Sequence, residues 1–150
     1  MKRVWGEGIV VETFSVTWTA RTALEAFKLA RQEALYWHGH AGRTGTIAEK
    51  PGFRLMGQLT SRQHNYLDAY LRRAEDWHNR AGHKNRSQYP RRLPPSIAPL
   101  FAEAIPLYVD PEAPAVCFQI TGSHVLEIKT AMGRKHSWDK AWWFGGRSPA

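Results

Sequence analysis

The stretch Tyr36-Trp37-His38-Gly39-His40-Ala41-Gly42-Arg43-Thr44-Gly45-Thr46-Ile47-Ala48-Glu49-Lys50-Pro51-Gly52-Phe53 decides how the chain is read. A helical pattern runs into it and a strand pattern runs out of it. Gly39 follows the last periodic residue, as a helix-ending glycine does. Gly42 and Gly45 then allow backbone amides to approach a ligand closely. His38, His40, Arg43, Thr44 and Thr46 lie among these glycines, and side chains of these types bind phosphate or carboxylate. Beyond the loop, Thr46-Ile47-Ala48-Glu49-Lys50, Pro51-Gly52 and Phe53-Arg54-Leu55-Met56 read as strand, turn, strand.

The loop matches neither common phosphate motif. No Gly-Lys-Ser/Thr closes it, so it is not a Walker A loop. The dinucleotide fingerprint needs a strand before and a helix after, and the order here is reversed. A phosphate at this place would be held by loop amides and Arg43. A plain helix-to-strand connector is the competing reading, since glycine loops also serve as simple turns.

Upstream, Ile9-Val10-Val11-Glu12-Thr13-Phe14-Ser15-Val16-Thr17-Trp18 is β-branched, aromatic and partly alternating, which predicts a long strand. Thr22-Ala23-Leu24-Glu25 fits a capping box opening a helix. Ala23, Phe27, Ala30, Ala34 and Trp37 recur at helical spacing along it. Arg31 and His38 fall on the same apolar face. A cation there needs a partner or a route to water. Either Arg31 snorkels and His38 caps the helix end, or both point at a ligand held by the glycine loop.

Downstream, Thr60 or Ser61 caps a second helix of about five turns that ends at Gly82. Its apolar face is Tyr66, Leu67, Tyr70, Leu71, Ala74 and Trp77. Arg62, Arg73 and Arg80 fall within about 20° of one another along one edge of that face. They span about 27 Å of helix. More cations follow at once: Lys84, Arg86, Arg91 and Arg92, in a segment that Pro90, Pro94 and Pro95 keep irregular. A basic Pro-containing loop at about 83–99 with this composition suits contact with phosphates.

The charge distribution agrees. The formal net charge is +8. Residues 1–60 carry +3, residues 61–100 carry +5 and residues 101–150 carry none. A clustered excess favours an anionic partner over a merely basic surface.

The last third reads as mostly β. Ile105–Val109, Ala115–Thr121 and His124–Ile128 are candidate strands, with a hairpin turn at Gly122-Ser123 and one helical turn between Ser96 and Glu103. The run Trp138-Asp139-Lys140-Ala141-Trp142-Trp143-Phe144-Gly145-Gly146 is a strand, either packed in the core or offering Trp142 and Trp143 to a protein partner. The run Gly42–Lys50 after a helix, together with Trp142-Trp143-Phe144-Gly145, resembles features of small uncharacterised phage-encoded proteins. The resemblance covers two short segments and implies no activity.

The whole predicts a single α+β domain, with an antiparallel or mixed β-sheet and two principal helices packed on it. The absence of an apolar run near 20 residues gives no membrane span. The lone cysteine, Cys117, and the lack of a signal-peptide pattern place the chain in the cytoplasm. Cys117 sits among apolar residues and reads as an inert thiol. Seven histidines carry no metal-ligand spacing, so no metal and no cofactor is expected. His40 with Glu49 or Asp139 and Arg43 would be a minimal acid–base set, but nothing in the spacing joins them and no catalytic residue is assigned.

Besides a protein partner at Trp142 and Trp143, two phosphate-bearing partners follow from the residues. One is nucleic acid, along Arg62, Arg73, Arg80 and the Lys84–Arg92 segment. The other is a phosphorylated small molecule in a pocket formed by Arg31, His38, His40, Arg43, Thr44 and Thr46, with or without chemistry.

Overall fold

The computed structural model describes residues 3–5, 9–39, 44–81, 95, 97–122 and 139–149, with backbone only at 3–5, 9–11 and 74–81. Among the described residues five strands form one sheet: β1 (Arg3–Trp5), β2 (Ile9–Ala20), β3 (Phe53–Thr60), β4 (Ala115–Thr121) and β5 (Lys140–Pro149). Their spatial order is β1-β2-β5-β4-β3. β3 and β4 run parallel, and every other pair is antiparallel, so the sheet is mixed. Helix α1 (Ala23–His38) connects β2 towards β3. Helix α2 (Ser61–Ala81) and the short helices α3 (Ala98–Phe101) and α4 (Ile105–Tyr108) lie between β3 and β4. The fold is α+β with a mixed sheet.

Side-chain alternation places one helical layer on each face. On β4, Val116, Phe118 and Ile120 point to the side covered by α2, α3 and α4, with Leu67, Tyr70, Leu71, Phe101 and Tyr108. Ala115 and Cys117 point the other way, towards Phe27 and Ala30 of α1. On β5, Ala141 and Trp143 join the first core, and Trp142 and Phe144 join the second. In the α1 core Phe27, Phe53 and Phe144 form a ring cluster with centroids 5.1–5.7 Å apart. In the other, Tyr108 stacks on Trp143 at 6.5 Å with rings 9° from parallel.

Local sequence explains the helix ends. The Thr22 hydroxyl accepts a bond from the Glu25 amide at 3.2 Å and starts α1. Gly39, at φ 83°, ends it by donating its amide to the Leu35 carbonyl. A reciprocal capping box opens α2: Thr60 donates its amide to Gln63 Oε1 at 2.8 Å, and the Gln63 amide donates to Thr60 Oγ1 at 3.2 Å.

Two expected strands are helical instead. Thr46–Lys50 contains a 3₁₀ turn at Ile47–Glu49, because the Thr46 hydroxyl accepts from the Ala48 amide and caps it. Ile105–Val109 contains α4. Pro106 sits in its first turn, where a missing amide costs nothing, whereas a strand would lose a ladder donor. The helical turn between Ser96 and Glu103 is α3. On α2, Tyr66 stands 40% exposed and outside the buried stripe of Leu67, Tyr70 and Leu71, while the side chains of Ala74 and Trp77 lie outside the described residues. The expected His124–Ile128 strand and most of the basic Pro-containing loop also lie outside them.

Trp142 and Trp143 are 5% and 1% exposed, which removes them as a surface for a partner. They are adjacent on a central strand, so they point to opposite cores and both are covered. The Trp143 indole donates to Ser15 Oγ at 2.7 Å, and the Trp142 indole to the Ala20 carbonyl at 3.0 Å. Trp143 lies flat over Gly145: a Cβ there would stand 2.3 Å from its Cη2.

Two cations are buried where β5 runs past the start of β4. Lys50, 1% exposed, donates to the carbonyls of Asp110, Pro111 and Ala113 at 3.4, 3.3 and 2.7 Å. Arg147, also 1% exposed, donates to the Val109 carbonyl at 3.3 Å. Burial lowers the Lys50 pKa to about 8, opposed by the charges of Asp110 and Glu112.

Gly145→Ala is expected to destabilise the protein by about 1–3 kcal/mol through overpacking, whereas Gly52→Ala, where a Cβ meets open space, is tolerated; thermal melts of both variants check this. Because the folded Lys50 releases its proton at lower pH than the unfolded one, its contribution to stability is lost as pH falls through about 8 and is fully present above about 10.5. Urea unfolding at pH 7, 8, 9 and 10 should show the wild type gaining on Lys50→Met as pH rises. A gap that stays constant contradicts the assignment.

Candidate functional site

The expected site residues that are described lie at or beside two surfaces: a groove on the α1 side of the sheet and the outer side of α2.

β2 alternates apolar Phe14, Val16 and Trp18 with polar Thr13, Ser15 and Thr17, and its apolar set faces α1. The facing stripe of α1 passes through Ala26 and Ala30 to Ala34 and Trp37. Alanine leaves space where a larger residue would close the gap. A groove of about 460 Å³ results, lined by Phe14, Val16, Trp18, Ala30, Ala34, Trp37 and Ile47, with Glu33, His38 and Thr46 as its polar side chains near the helix end and the 3₁₀ turn. Its size is that of a small-molecule site. Trp37 is 70% exposed although it lies on the apolar stripe, and it meets Tyr36, 79% exposed, edge to face at 5.0 Å.

The expected glycine-loop residues divide. His38 lines this groove and is exposed. Thr46 lines it too, but its hydroxyl is engaged with Ala48 N and with Thr44 Oγ1 at 2.7 Å. Thr44 gives both its amide and its hydroxyl to Glu49, at 3.1 and 2.8 Å. Glu49 thus folds the end of the loop onto itself, and its charge stands where an anion would otherwise meet these hydroxyls. Arg31 turns from the groove to donate to the Ala48 carbonyl at 3.1 Å, with its guanidinium 5.8 Å from the Phe27 ring. Arg31 thus finds a partner inside the fold: its guanidinium is held by a backbone carbonyl with Nε buried, which is neither a route to water nor a position facing the groove. His40 and Arg43 lie outside the described residues.

On α2, Arg62 and Arg73 are exposed on the side away from Leu67 and Leu71. Arg62 lies over the Tyr66 ring at 5.8 Å and donates from Nε to its hydroxyl at 3.2 Å. Arg72, a quarter-turn away, is neutralised by Asp68 at 2.7 Å. Among the described residues no carboxylate pairs with Arg62 or Arg73. Arg80 is on the last turns of α2, with its side chain outside the described residues, as are Lys84, Arg86, Arg91 and Arg92.

Sequence reading missed three contributors. Trp18 and Glu33 carry the groove, and only the meeting of β2 with α1 reveals them. Arg54 is exposed on edge strand β3 and pairs in register with Val116, whose side chain faces the α2 layer. It therefore adds a cation to that face.

These residues offer hydrogen-bonding groups and ring surfaces to a ligand. Among the described residues no group of His, Cys, Asp and Glu could hold a metal ion. Cys117 is fully buried, and burial pushes its thiol up to about 12, which keeps it protonated and unreactive. No helix among the described residues is long and apolar enough to cross a membrane.

Glu49→Ala should cost about 1–3 kcal/mol, since it leaves the part-buried Thr44 amide and hydroxyl without their acceptor. Chemical denaturation measures it, and a destabilisation below the error of the fit contradicts the loop role. Compared with family models, with curated proteins and with solved structures, the chain matches none.

Proposed function

We propose that this protein binds phosphate-bearing ligands, nucleic acid foremost, along the outer side of α2. The supporting observation is that Arg62 and Arg73 stand exposed on one helix side without a carboxylate partner among the described residues, beside an Arg72 that has one. Two such cations, about 16 Å apart along the helix, suit successive contacts with a backbone rather than one isolated phosphate. Arg54 is exposed on the sheet face that α2 covers, and residues 61–100 together carry +5. Tyr66, lying against Arg62, holds that guanidinium in place and so lowers the entropy given up on binding.

The test is fluorescence anisotropy with labelled single- and double-stranded DNA and RNA at two salt concentrations. Wild-type protein should bind with steep salt dependence. The triple variant Arg54→Ala/Arg62→Ala/Arg73→Ala should lower the slope of log affinity against log salt by about 0.9 for each duplex phosphate that these arginines neutralise. A second variant with alanine at Lys84, Arg86, Arg91 and Arg92 measures the share of the following segment. Absence of binding at low salt, or a slope unchanged in both variants, would sink the proposal.

A further inference from the structure

We infer that the groove between α1 and β2 is a second binding site, for a flat heteroaromatic ring with adjacent N–H donors, of which guanine is the chemical type. It lies on the opposite face of the sheet from α2 and does not depend on the phosphate-binding reading.

The shape comes first. Ala30 and Ala34 present only methyl groups towards Val16 and Trp18 and leave a slot of about 460 Å³, room for a purine nucleoside. Aromatic side chains supply its walls. Trp18 is part-buried on the strand side, and Trp37 on the helix side keeps 70% of its surface in water. Trp37 lies on the apolar stripe and lines the groove, yet it stands largely in water with Tyr36 edge to face beside it. An indole left in this state gains by stacking on a flat ring.

Charge narrows the class. Glu33 lines the groove, and among the described residues it has no ion pair or hydrogen bond. A carboxylate accepts two parallel N–H bonds, and the ring N–H and exocyclic amine of guanine present such a pair. An anion alone fits less well: Arg31 points elsewhere, the Thr46 hydroxyl is engaged and Glu33 repels negative charge, which leaves it His38 at the helix end. Glu33 is exposed at the rim of the groove, where its carboxylate can meet the polar edge of a ring whose face lies between the indoles. A planar donor ring satisfies both the indole walls and the carboxylate.

Isothermal titration calorimetry of the full chain with guanosine, inosine and adenosine tests this. Guanosine should bind one to one. Inosine, which lacks the 2-amino group, should bind at least about tenfold more weakly, as should guanosine to Glu33→Gln. Trp37→Ala should weaken guanosine by a similar factor, and its exposure makes loss of folding an unsuitable explanation. Ala34→Leu should abolish binding by filling the slot, with a thermal melt confirming that the variant folds. No saturable heat with guanosine overturns the inference. So does equal affinity for the three nucleosides, or guanosine binding that survives Glu33→Gln or Ala34→Leu unchanged.

Discussion

Strand β5 is apolar in both directions, and the architecture follows from that constraint. Ala141 and Trp143 need cover on one side, Trp142 and Phe144 on the other. A strand of this kind cannot sit at an edge or on an open face without leaving indole and phenyl surface in water. It is therefore central, with β2 and β4 as antiparallel neighbours and a helical layer above and below. Both tryptophans are further fixed by single hydrogen bonds to β2, so the register of β2 against β5 is set by side chains as well as by the ladder. The two layers differ in thickness. α2, α3 and α4 cover β3, β4 and β5 with large side chains, whereas α1 meets β2 largely through alanines. The thin layer leaves the groove.

The place where β5 outruns β4 shows how the fold handles polar groups. The chain from Val109 to Ala113 crosses that end and brings several carbonyls inward. Lys50 and Arg147 supply their donors. A buried ammonium costs desolvation energy, and three carbonyl acceptors together with the nearby charges of Asp110 and Glu112 offset part of it. The 3₁₀ turn matters here: it delivers Lys50 inward while Glu49, one residue earlier, turns back to Thr44. A continued strand could not send those two adjacent side chains to these partners and also keep Ile47 in the α1 core.

Much of this was legible in the residues. β2 shows its alternation, α1 its capping box and terminal glycine, α2 its length from Thr60 to Ala81, and the last strand its apolar run. What failed to show was governed by contacts distant in sequence. Thr46–Lys50 has strand-like composition, but a hydroxyl cap and a buried lysine decide its shape. Ile105–Val109 looks extended until Pro106 is weighed as a helix-starting residue. The loop hydroxyls of Thr44 and Thr46 looked available because Glu49, which accepts from Thr44, belongs to what reads as the next strand, and Thr46 is engaged in turn by Thr44 and the Ala48 amide. The groove was invisible for a related reason: Trp37 is periodic with the buried stripe, and periodicity says nothing about where the opposing sheet stops. The arginine edge of α2, in contrast, follows from helical geometry alone, and Arg62 and Arg73 stand on its exposed side.

The pairing of β2 with β5 also has a temporal side. Val11 to Ala20 lie in register with Pro149 to Lys140, so the longest ladder in the sheet joins residues 120 to 138 positions apart. The other neighbour of β2 is β1, a ribbon partner of three residues. During synthesis β2 and α1 are made early, yet the surface on which α1 packs does not exist until β5 has emerged. α1 must then wait as a nascent amphipathic helix with Phe27 uncovered, and closure of so long a loop makes acquisition of the native state slow. The same separation makes the groove one of the last features to form, since one wall is α1 and the strand behind the other is held by β5.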